Sequence, residues 1–499
     1  MLARILERHA MLAPAKVAIA DGDMALMYGD LCREARAIAR ALRSRGIGAG
    51  SRVALLSENR AEFGVLVAAA SFGGFTLAPV NVRLHPEEQR ELLRDADVSV
   101  AFAQDASGAQ SVVAAGTTVV AFDDDEYRRM HETRGGAEPA AAGVRAEPLL
   151  MYATGGTSGL PKWCCITEGN LFAQADNLAD AIGLNADDRY GFFMPFFHMA
   201  AGGLLVAALV KGATAFVLPR QDRAQLLHVI ERQALTRTNL PFVVLRELAE
   251  AGALRALPQL RWLGTGNGTT IELQRELSRA VCPNVWGWYG QTEATNITTS
   301  PRSTAEAQLG FGCIGRAAAS AQVRIVDAEG RDVGEGEAGE LWTAGPHVMA
   351  GYWRRDTETA EVMRGGWLRS GDVVRRGPDG SLFIVDRLKE IIKSGGETIS
   401  PRELEIALEK HPAIAEAAVI AVPHPRWGES PGAVVVLKPG ARLSEQEVVD
   451  HCRSRLAAFK RPTWVAFAPG LPRNVAGKVR KDILRREYAA RTTEGSTQP

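Results

Sequence analysis

The sequence predicts an α/β protein with three parts: a large N-terminal region on a mostly parallel sheet, a run of short antiparallel strands, and a smaller α+β region towards the C-terminal end. Three observations carry this. Between residues 16 and 88, short apolar runs alternate with stretches of helical length, the rhythm of strands and crossover helices around a sheet covered on both faces. From about residue 320 the texture changes to short strands separated by turns. The chain has 499 residues, too many for one core, so two or more domains follow.

Residues 1–10 form a surface helix, because Arg4, Glu7 and Arg8 interrupt the apolar pattern that a secretory leader would need. A hairpin covers residues 16–28, turning at Asp21-Gly22-Asp23. The next helix shows Leu31, Ala35, Ile38, Ala39 and Leu42 on one face, with Gly46 beyond its end. Residues 52–56 are a buried-type strand, 61–72 an apolar helix and 75–82 another strand. His85-Pro86-Glu87-Glu88 opens a helix with proline in its first turn. Residues 106–148, rich in Ala, Gly, Asp and Glu, read as a variable surface segment. Residues 149–152 read as a strand end, 171–182 as a helix, and 260–263 as a strand leading into a loop. Short strands are expected at 323–326, 340–343, 367–369 and 382–385. A helix at 401–410 and strands at 417–422 and 433–437 make the last region.

Composition excludes several classes. Apolar content of 46% and charged content of 23% suit a soluble globular protein. Lys+Arg and Asp+Glu both total 58, so no bulk charge draws the chain to nucleic acid or anionic membrane. The six cysteines form no Cys-x-x-Cys pair, which indicates neither a zinc site nor a disulfide framework, and a cytoplasmic location is the default. The longest apolar run, 202–210, is far short of the ~20 residues that span a bilayer.

The stretch Thr154-Gly155-Gly156-Thr157-Ser158-Gly159-Leu160-Pro161-Lys162 is the first carrier of chemistry. Its glycines and hydroxyls form a loop whose backbone N–H groups can turn inward on an oxyanion, and Lys162 adds a positive charge for a polyphosphate. The spacing is not that of a Walker A loop, which needs Ser or Thr after Gly-Lys. Two more polar loops follow apolar runs: Gly264-Thr265-Gly266-Asn267-Gly268 and Tyr289-Gly290-Gln291-Thr292-Glu293. In open α/β sheets, ligands sit beyond the carboxyl ends of strands, so one crevice can serve all three loops. Glu293 is the only carboxylate of its loop and could hold Mg²⁺ on a phosphate. His198, within a run of four phenylalanines, is either a packed histidine or a gate to a pocket. Asp372, in Ser370-Gly371-Asp372 at a strand end, could accept both hydroxyls of a ribose. Lys478 follows a glycine in a basic loop near the end.

These motifs, with Asp386-Arg387-Leu388-Lys389 and Gly395-Gly396-Glu397, stand in the order seen in adenylate-forming enzymes. Over essentially its whole length the chain resembles the superfamily of acyl-CoA synthetases, carrier-loading adenylation domains and firefly luciferase, and its stretch 386–393 looks closest to acyl- and aryl-CoA ligases. The resemblance implies a large N-terminal domain of stacked sheets with a small barrel-like subdomain (1–386), a hinge (387–389), a mobile lid (390–490) and a polar tail (491–499). It implies ATP, Mg²⁺ and CoA as cofactors, with a carboxylic acid activated to an acyl-adenylate and then transferred to a thiol. In such a protein Thr154, Gly155, Gly156, Thr157, Ser158, Gly159 and Lys162 would hold the β- and γ-phosphates. Gly266, Asn267 and Gly268 would line the adenine side. Tyr289, Gly290, Gln291 and Thr292 would border adenine, α-phosphate and acyl group. Glu293 would bind Mg²⁺, Asp372 the ribose, and Arg387 would lie beside ribose and phosphate. Lys389 would be the hinge and Lys478 would bridge carboxylate and α-phosphate. After lid rotation, Gly395 and Gly396 would border the CoA arm and Lys393 would face the adenylate.

Two residues depart from the family pattern. Trp163 stands where a glycine is usual, an indole able to restrict that side of the site, although the strand exit is expected to tolerate it. Glu168 stands near a usual histidine. Residues 191–210 carry no Asp, Glu, Lys or Arg, so an ammonium or a second carboxylate would find no partner there. An apolar fatty or aryl acid is therefore expected. The alternatives are a ligase that loads a carrier protein in trans and a silent nucleotide-binding relative. A homodimer is left open.

Overall fold

The computed structural model describes residues 1–132, 147–154, 161–218, 225–265, 271–300, 312–387, 390, 392–394, 397–424, 427–453, 456, 458–473 and 479–488. The chain divides into two compact units. The first comprises Met1–Val323, Trp342–Arg369 and Asp379–Ser381; the second comprises Arg324–Leu341, Ser370–Pro378 and Leu382–Pro499.

Two sheets build the first unit. One runs in the order Trp262–Thr265, Arg237–Leu240, Arg189–Phe192, Thr214–Val217, Val17–Asp21, Met24–Met27, parallel except for its last pair. The expected hairpin at 16–28 is that last pair, and it joins the sheet through Thr214–Val217, a partner no local pattern could name. The other sheet runs Gly351–Tyr352, Lys162–Ile166, Leu150–Thr154, Thr76–Pro79, Arg52–Leu56, Val100–Ala103, Thr118–Ala121. Its five strands from Leu150–Thr154 onward are parallel and its first two are antiparallel.

The helices Glu62–Gly73 and Met199–Val210 are apolar all round, and both are buried almost throughout, as such helices must be. Gly64 shows how close the layers come. A Cβ there would stand 2.3 Å from Cδ1 of Ile19 in the first sheet, so glycine lets a helix that follows a strand of the second sheet press against the first. The expected surface helix is Leu2–Leu12, with Leu2, Ala3 and Leu6 turned into the core.

The reading of residues 106–148 as a surface segment is corrected in part. Ala106–Val112 is a helix capped by Asp105, Thr118–Ala121 is an edge strand parallel to Val100–Ala103, and Asp125–Glu132 is a further helix. The apolar run of Thr118–Ala121 is only four residues long and sits among Ala, Gly and Asp, so composition hid it. Residues 133–146 lie outside the described residues.

In the second unit, residues 372–376 of the strand Trp367–Arg376 pair antiparallel with Leu382–Arg387, over Asp372↔Arg387 to Arg376↔Leu382. A further sheet runs Glu397–Ile399, Ile392–Ser394, Gly428–Leu437, Ile414–His424, with Trp464–Phe467 also on Gly428–Leu437. The helix Pro401–Glu409 packs on Ile414–His424. Its cap is Ser400, whose hydroxyl accepts from Glu403 N and donates to Asp386 Oδ2 at 2.8 Å. Leu404, Leu408, Val419, Val435 and Cys452 fill this core.

Candidate active site

The glycine-rich loop connects two strands. Leu150–Thr154 and Lys162–Ile166 form an antiparallel hairpin in which Thr154 and Lys162 are cross-strand partners, and the Thr154 hydroxyl lies 3.4 Å from the Lys162 carbonyl. The second strand was not expected. Trp163-Cys164-Cys165-Ile166 is a short apolar run of good strand formers, and that is the signal for it.

Strand alternation settles the position of Trp163. Its side chain points away from the Lys162 side, is fully buried with Met151, Leu92 and Leu93, and donates Nε1–H to the Leu92 carbonyl at 3.2 Å. The indole is core, so the restriction foreseen beside Lys162 does not arise. Glu168 is likewise structural. Its carboxylate, 1% exposed, accepts from the N-terminal ammonium at 2.6 Å, from Leu2 N at 3.3 Å and from the Ser71 hydroxyl. It anchors the helix Leu2–Leu12.

A third strand completes the local arrangement. Gly351–Tyr352 pairs with Cys165 and Cys164, and Trp353 N donates to the Trp163 carbonyl at 2.8 Å. Tyr352 donates its phenolic O–H to Glu293 Oε1 at 2.9 Å, while the ammonium of Lys162 stands 5.1 Å from the centroid of the same ring. The Glu293 carbonyl accepts from Met349 N at 2.8 Å. Thr154, Lys162 and Glu293 are thus gathered at one end of three strands. Burial, and after it the Glu293 charge, raises the Tyr352 phenol well above its ordinary range, and burial does the same to the Cys164 thiol beneath. Both stay protonated, so Cys164 is no nucleophile.

The loop carrying Glu293 is held tightly. Gln291 Nε2 donates to the Tyr289 hydroxyl at 3.1 Å, Thr298 N donates to the Tyr289 carbonyl, and a 3₁₀ turn spans Thr292–Ala294. Gly290 is required, since a Cβ there would lie 2.2 Å from the Asn296 carbonyl carbon. Thr295 and Asn296 follow in the left-handed region, at φ of 47° and 62°.

His198 precedes the helix Met199–Val210, and its carbonyl accepts from Gly202 N at 2.9 Å. Its ring meets Phe197 edge-on at 4.9 Å, and the Arg83 guanidinium lies over the other ring at 5.5 Å. Burial, helped by the Arg83 charge, pushes the His198 pKa down to about 4. Of the aromatic run, Phe192, Phe196 and Phe197 are buried, while Phe193 is half-buried. A narrow crevice is walled by Phe192, Phe193, Met194, Ala201 and Leu204, with Asn239 as a polar side chain. Asn239 Oδ1 accepts from the Tyr190 hydroxyl, which fixes the amide so that oxygen faces Tyr190. A polar residue inside the strand Arg237–Leu240 is the local signal for Asn239.

Asp372 belongs to the second unit. Only 1% exposed, it follows Gly371 at φ 68°, receives its position from a Ser370 hydroxyl that accepts from Asp372 N at 3.0 Å, and faces Arg387 in the ladder. Gly155, Gly156, Thr157, Ser158, Gly159, Gly266, Asn267, Gly268, Lys389, Gly395, Gly396 and Lys478 lie outside the described residues, as do the side chains of Arg387 and Lys393.

The donors fit magnesium on a nucleotide. Mg²⁺ takes one or two carboxylates and completes its shell with phosphate and water, and Glu293 offers a half-buried carboxylate held by Tyr352, whose ring also meets Lys162. Among the described residues there is no group of three or more His, Cys, Asp or Glu that could hold a metal ion by itself. No helix among them is long and apolar enough to cross a membrane.

Strands Leu150–Thr154, Lys162–Ile166 and Gly351–Tyr352 bring a hydroxyl, an ammonium and, through Tyr352, a carboxylate together in an α/β protein of two compact units. The sequence model of AMP-binding enzymes matches residues 6–353, and that of the AMP-binding enzyme C-terminal domain matches residues 403–478. The chain belongs to the family of AMP-binding enzymes. It is 36% identical to an indoleacetate–CoA ligase of Aromatoleum aromaticum, with 98% of this chain and 99% of that protein covered. It is 34% identical to a feruloyl-CoA synthase of an Amycolatopsis species (96% and 98% covered). A long-chain-fatty-acid–CoA ligase of Mycobacterium tuberculosis is 31% identical (94% of each covered). Among solved structures, ATP-bound MatB from Rhodopseudomonas palustris superposes with a TM-score of 0.88 at 28% identity, covering 98% of this chain and 99% of that one. The O-succinylbenzoate coenzyme A synthetase of Bacillus subtilis in complex with ATP and magnesium ion gives 0.84 at 26% identity, covering 96% and 99%.

Proposed function

We propose that the acid this protein activates is uncharged and apolar, with an aryl acid ahead of a long-chain fatty acid. The reaction class is that of an AMP-forming acid–thiol ligase: ATP and a carboxylic acid give an acyl-adenylate and pyrophosphate, and CoA then displaces AMP. The observation that carries the substrate reading is the crevice beside Met199–Val210. Apart from Asn239 its walls are aromatic and aliphatic, and residues 191–210 contain no charge to meet an ammonium or a second carboxylate. Phe193 and Met194 are the half-buried members of this wall. The names of the relatives, with indoleacetate and ferulate at the higher identities, support the aryl preference.

The roles follow from charge. In the first step a carboxylate oxygen bonds to the α-phosphorus and the bond to pyrophosphate breaks. Two anions must approach, so fixed cations are needed. Lys162 and the Thr154 hydroxyl face the β- and γ-phosphates. Glu293 orients Mg²⁺, which supplies charge neutralisation on the phosphate oxygens. Lys478, on the lid at 390–490, neutralises the carboxylate and α-phosphate as they meet. Asp372 accepts from the ribose hydroxyls. His198, neutral above about pH 4, serves as a gate beside the acyl crevice rather than as a cation. For the second step the lid turns about Lys389, withdraws Lys478 and brings Gly395 and Gly396 to the pantetheine arm, so that the thiolate bonds to the acyl carbon as AMP leaves.

Acid-dependent pyrophosphate release across aryl, fatty, dicarboxylic and amino acids tests the substrate reading. Aryl acids are expected to give the largest kcat/KM, followed by fatty acids. A preference for an amino acid or a dicarboxylate overturns it.

A further inference from the structure

We infer that Tyr352 is a positioning residue of the nucleotide site: it ties the carboxylate of Glu293 to the ammonium of Lys162 through one rigid ring. The inference rests on the reading of Glu293 as the magnesium carboxylate and Lys162 as a phosphate ligand.

Tyr352 is held on every side. Its backbone pairs with Cys164, its N–H donates to the Thr359 hydroxyl at 2.9 Å, and the side chain is 9% exposed. From that fixed base its two ends do different things. The O–H donates to Glu293 Oε1 at 2.9 Å, which sets the direction of the carboxylate. The ring face lies 5.1 Å from Lys162 Nζ, which draws the ammonium to the Glu293 end of the strand. A carboxylate and an ammonium on separate flexible side chains would otherwise each sample several rotamers. A phenol fixed at its backbone limits both at once. Glycine at 351, at φ 140° and packed against Thr359, fits the short strand that presents the ring.

The two ends separate by substitution. Tyr352→Phe keeps the ring and removes the hydroxyl. Tyr352→Leu removes both. Nucleotide binding is measured by isothermal titration, with ATP at a series of Mg²⁺ concentrations and with ATP in EDTA. Bound Mn²⁺ is followed separately by electron paramagnetic resonance. For Tyr352→Phe, the Mg²⁺ needed for half-maximal ATP binding is expected to rise about five- to tenfold, with metal-free ATP affinity within about twofold of wild type. For Tyr352→Leu, metal-free ATP affinity is expected to fall as well, by about threefold. Glu293→Gln is the control. If Glu293→Gln raises the Mg²⁺ requirement and Tyr352→Phe does not, the positioning role is wrong while the reading of Glu293 stands. If Glu293→Gln leaves the requirement unmoved, the reading of Glu293 fails and this inference with it. Equal losses with and without metal in Tyr352→Phe also overturn it, because a merely structural role predicts that pattern.

Discussion

Lys162 and Trp163 are neighbours in the chain and opposites in environment. Both lie in the strand Lys162–Ile166, whose alternation turns Lys162 to the ring of Tyr352 and Trp163 into a core with Leu92 and Met151. One face of a five-residue strand carries the lysine proposed to meet a phosphate; the other holds the sheet to its covering helix. A departure from the family pattern is therefore informative only once its face is known. The same holds for Glu168, a charged residue that lies in the interior because it has the N-terminal ammonium, Leu2 N and Ser71 as partners.

Substitutions on the two faces separate these roles. Trp163→Ala should have the largest effect, a loss of about 3–5 kcal/mol of stability from the cavity it opens, read by urea unfolding. ATP affinity of the folded fraction should stay within about twofold. A large affinity change with little destabilisation would merge the two faces. Lys162→Ala should show the inverse: kcat/KM for ATP down on the order of 100-fold, about 2.7 kcal/mol, with the urea midpoint nearly unchanged. Glu168→Ala should remove about 2 kcal/mol of stability, less than a fully buried pair because the ammonium is partly exposed, and leave the acid preference as it was. An altered acid preference would return Glu168 to the site.

The smallest effect is in pH. Burial holds His347, and burial with the Arg83 charge holds His198, at a pKa of about 4, below the ordinary 6.5. Between pH 6.5 and 4 the unfolded chain binds protons that the folded chain refuses, so stability falls as pH is lowered through that window. His347→Gln should make the fall shallower by about 1–2 kcal/mol. An identical slope in wild type and variant would mean that His347 titrates normally in the folded state.

The alternation of strands and helices, and the loops that carry Thr154, Glu293 and Asp372, were legible because short-range residue chemistry encodes them. What was not legible depends on distant partners. The strand at 162–166 hides behind a glycine-rich loop, and its identity becomes plain only when Leu150–Thr154 and Gly351–Tyr352 lie on either side. Tyr352 meets Glu293 across 59 residues, which no local pattern records. The edge strand Thr118–Ala121 was missed because four apolar residues among alanines and aspartates carry too little periodicity.

The most direct test of the division between the faces of this strand is calorimetric titration of MgATP into wild type, Lys162→Ala, Glu293→Gln and Trp163→Phe. Wild type and Trp163→Phe should bind alike, and Lys162→Ala and Glu293→Gln should each bind at least about tenfold more weakly. Equal affinity in all four proteins would place the triphosphate elsewhere and end the assignment of this hairpin to ATP.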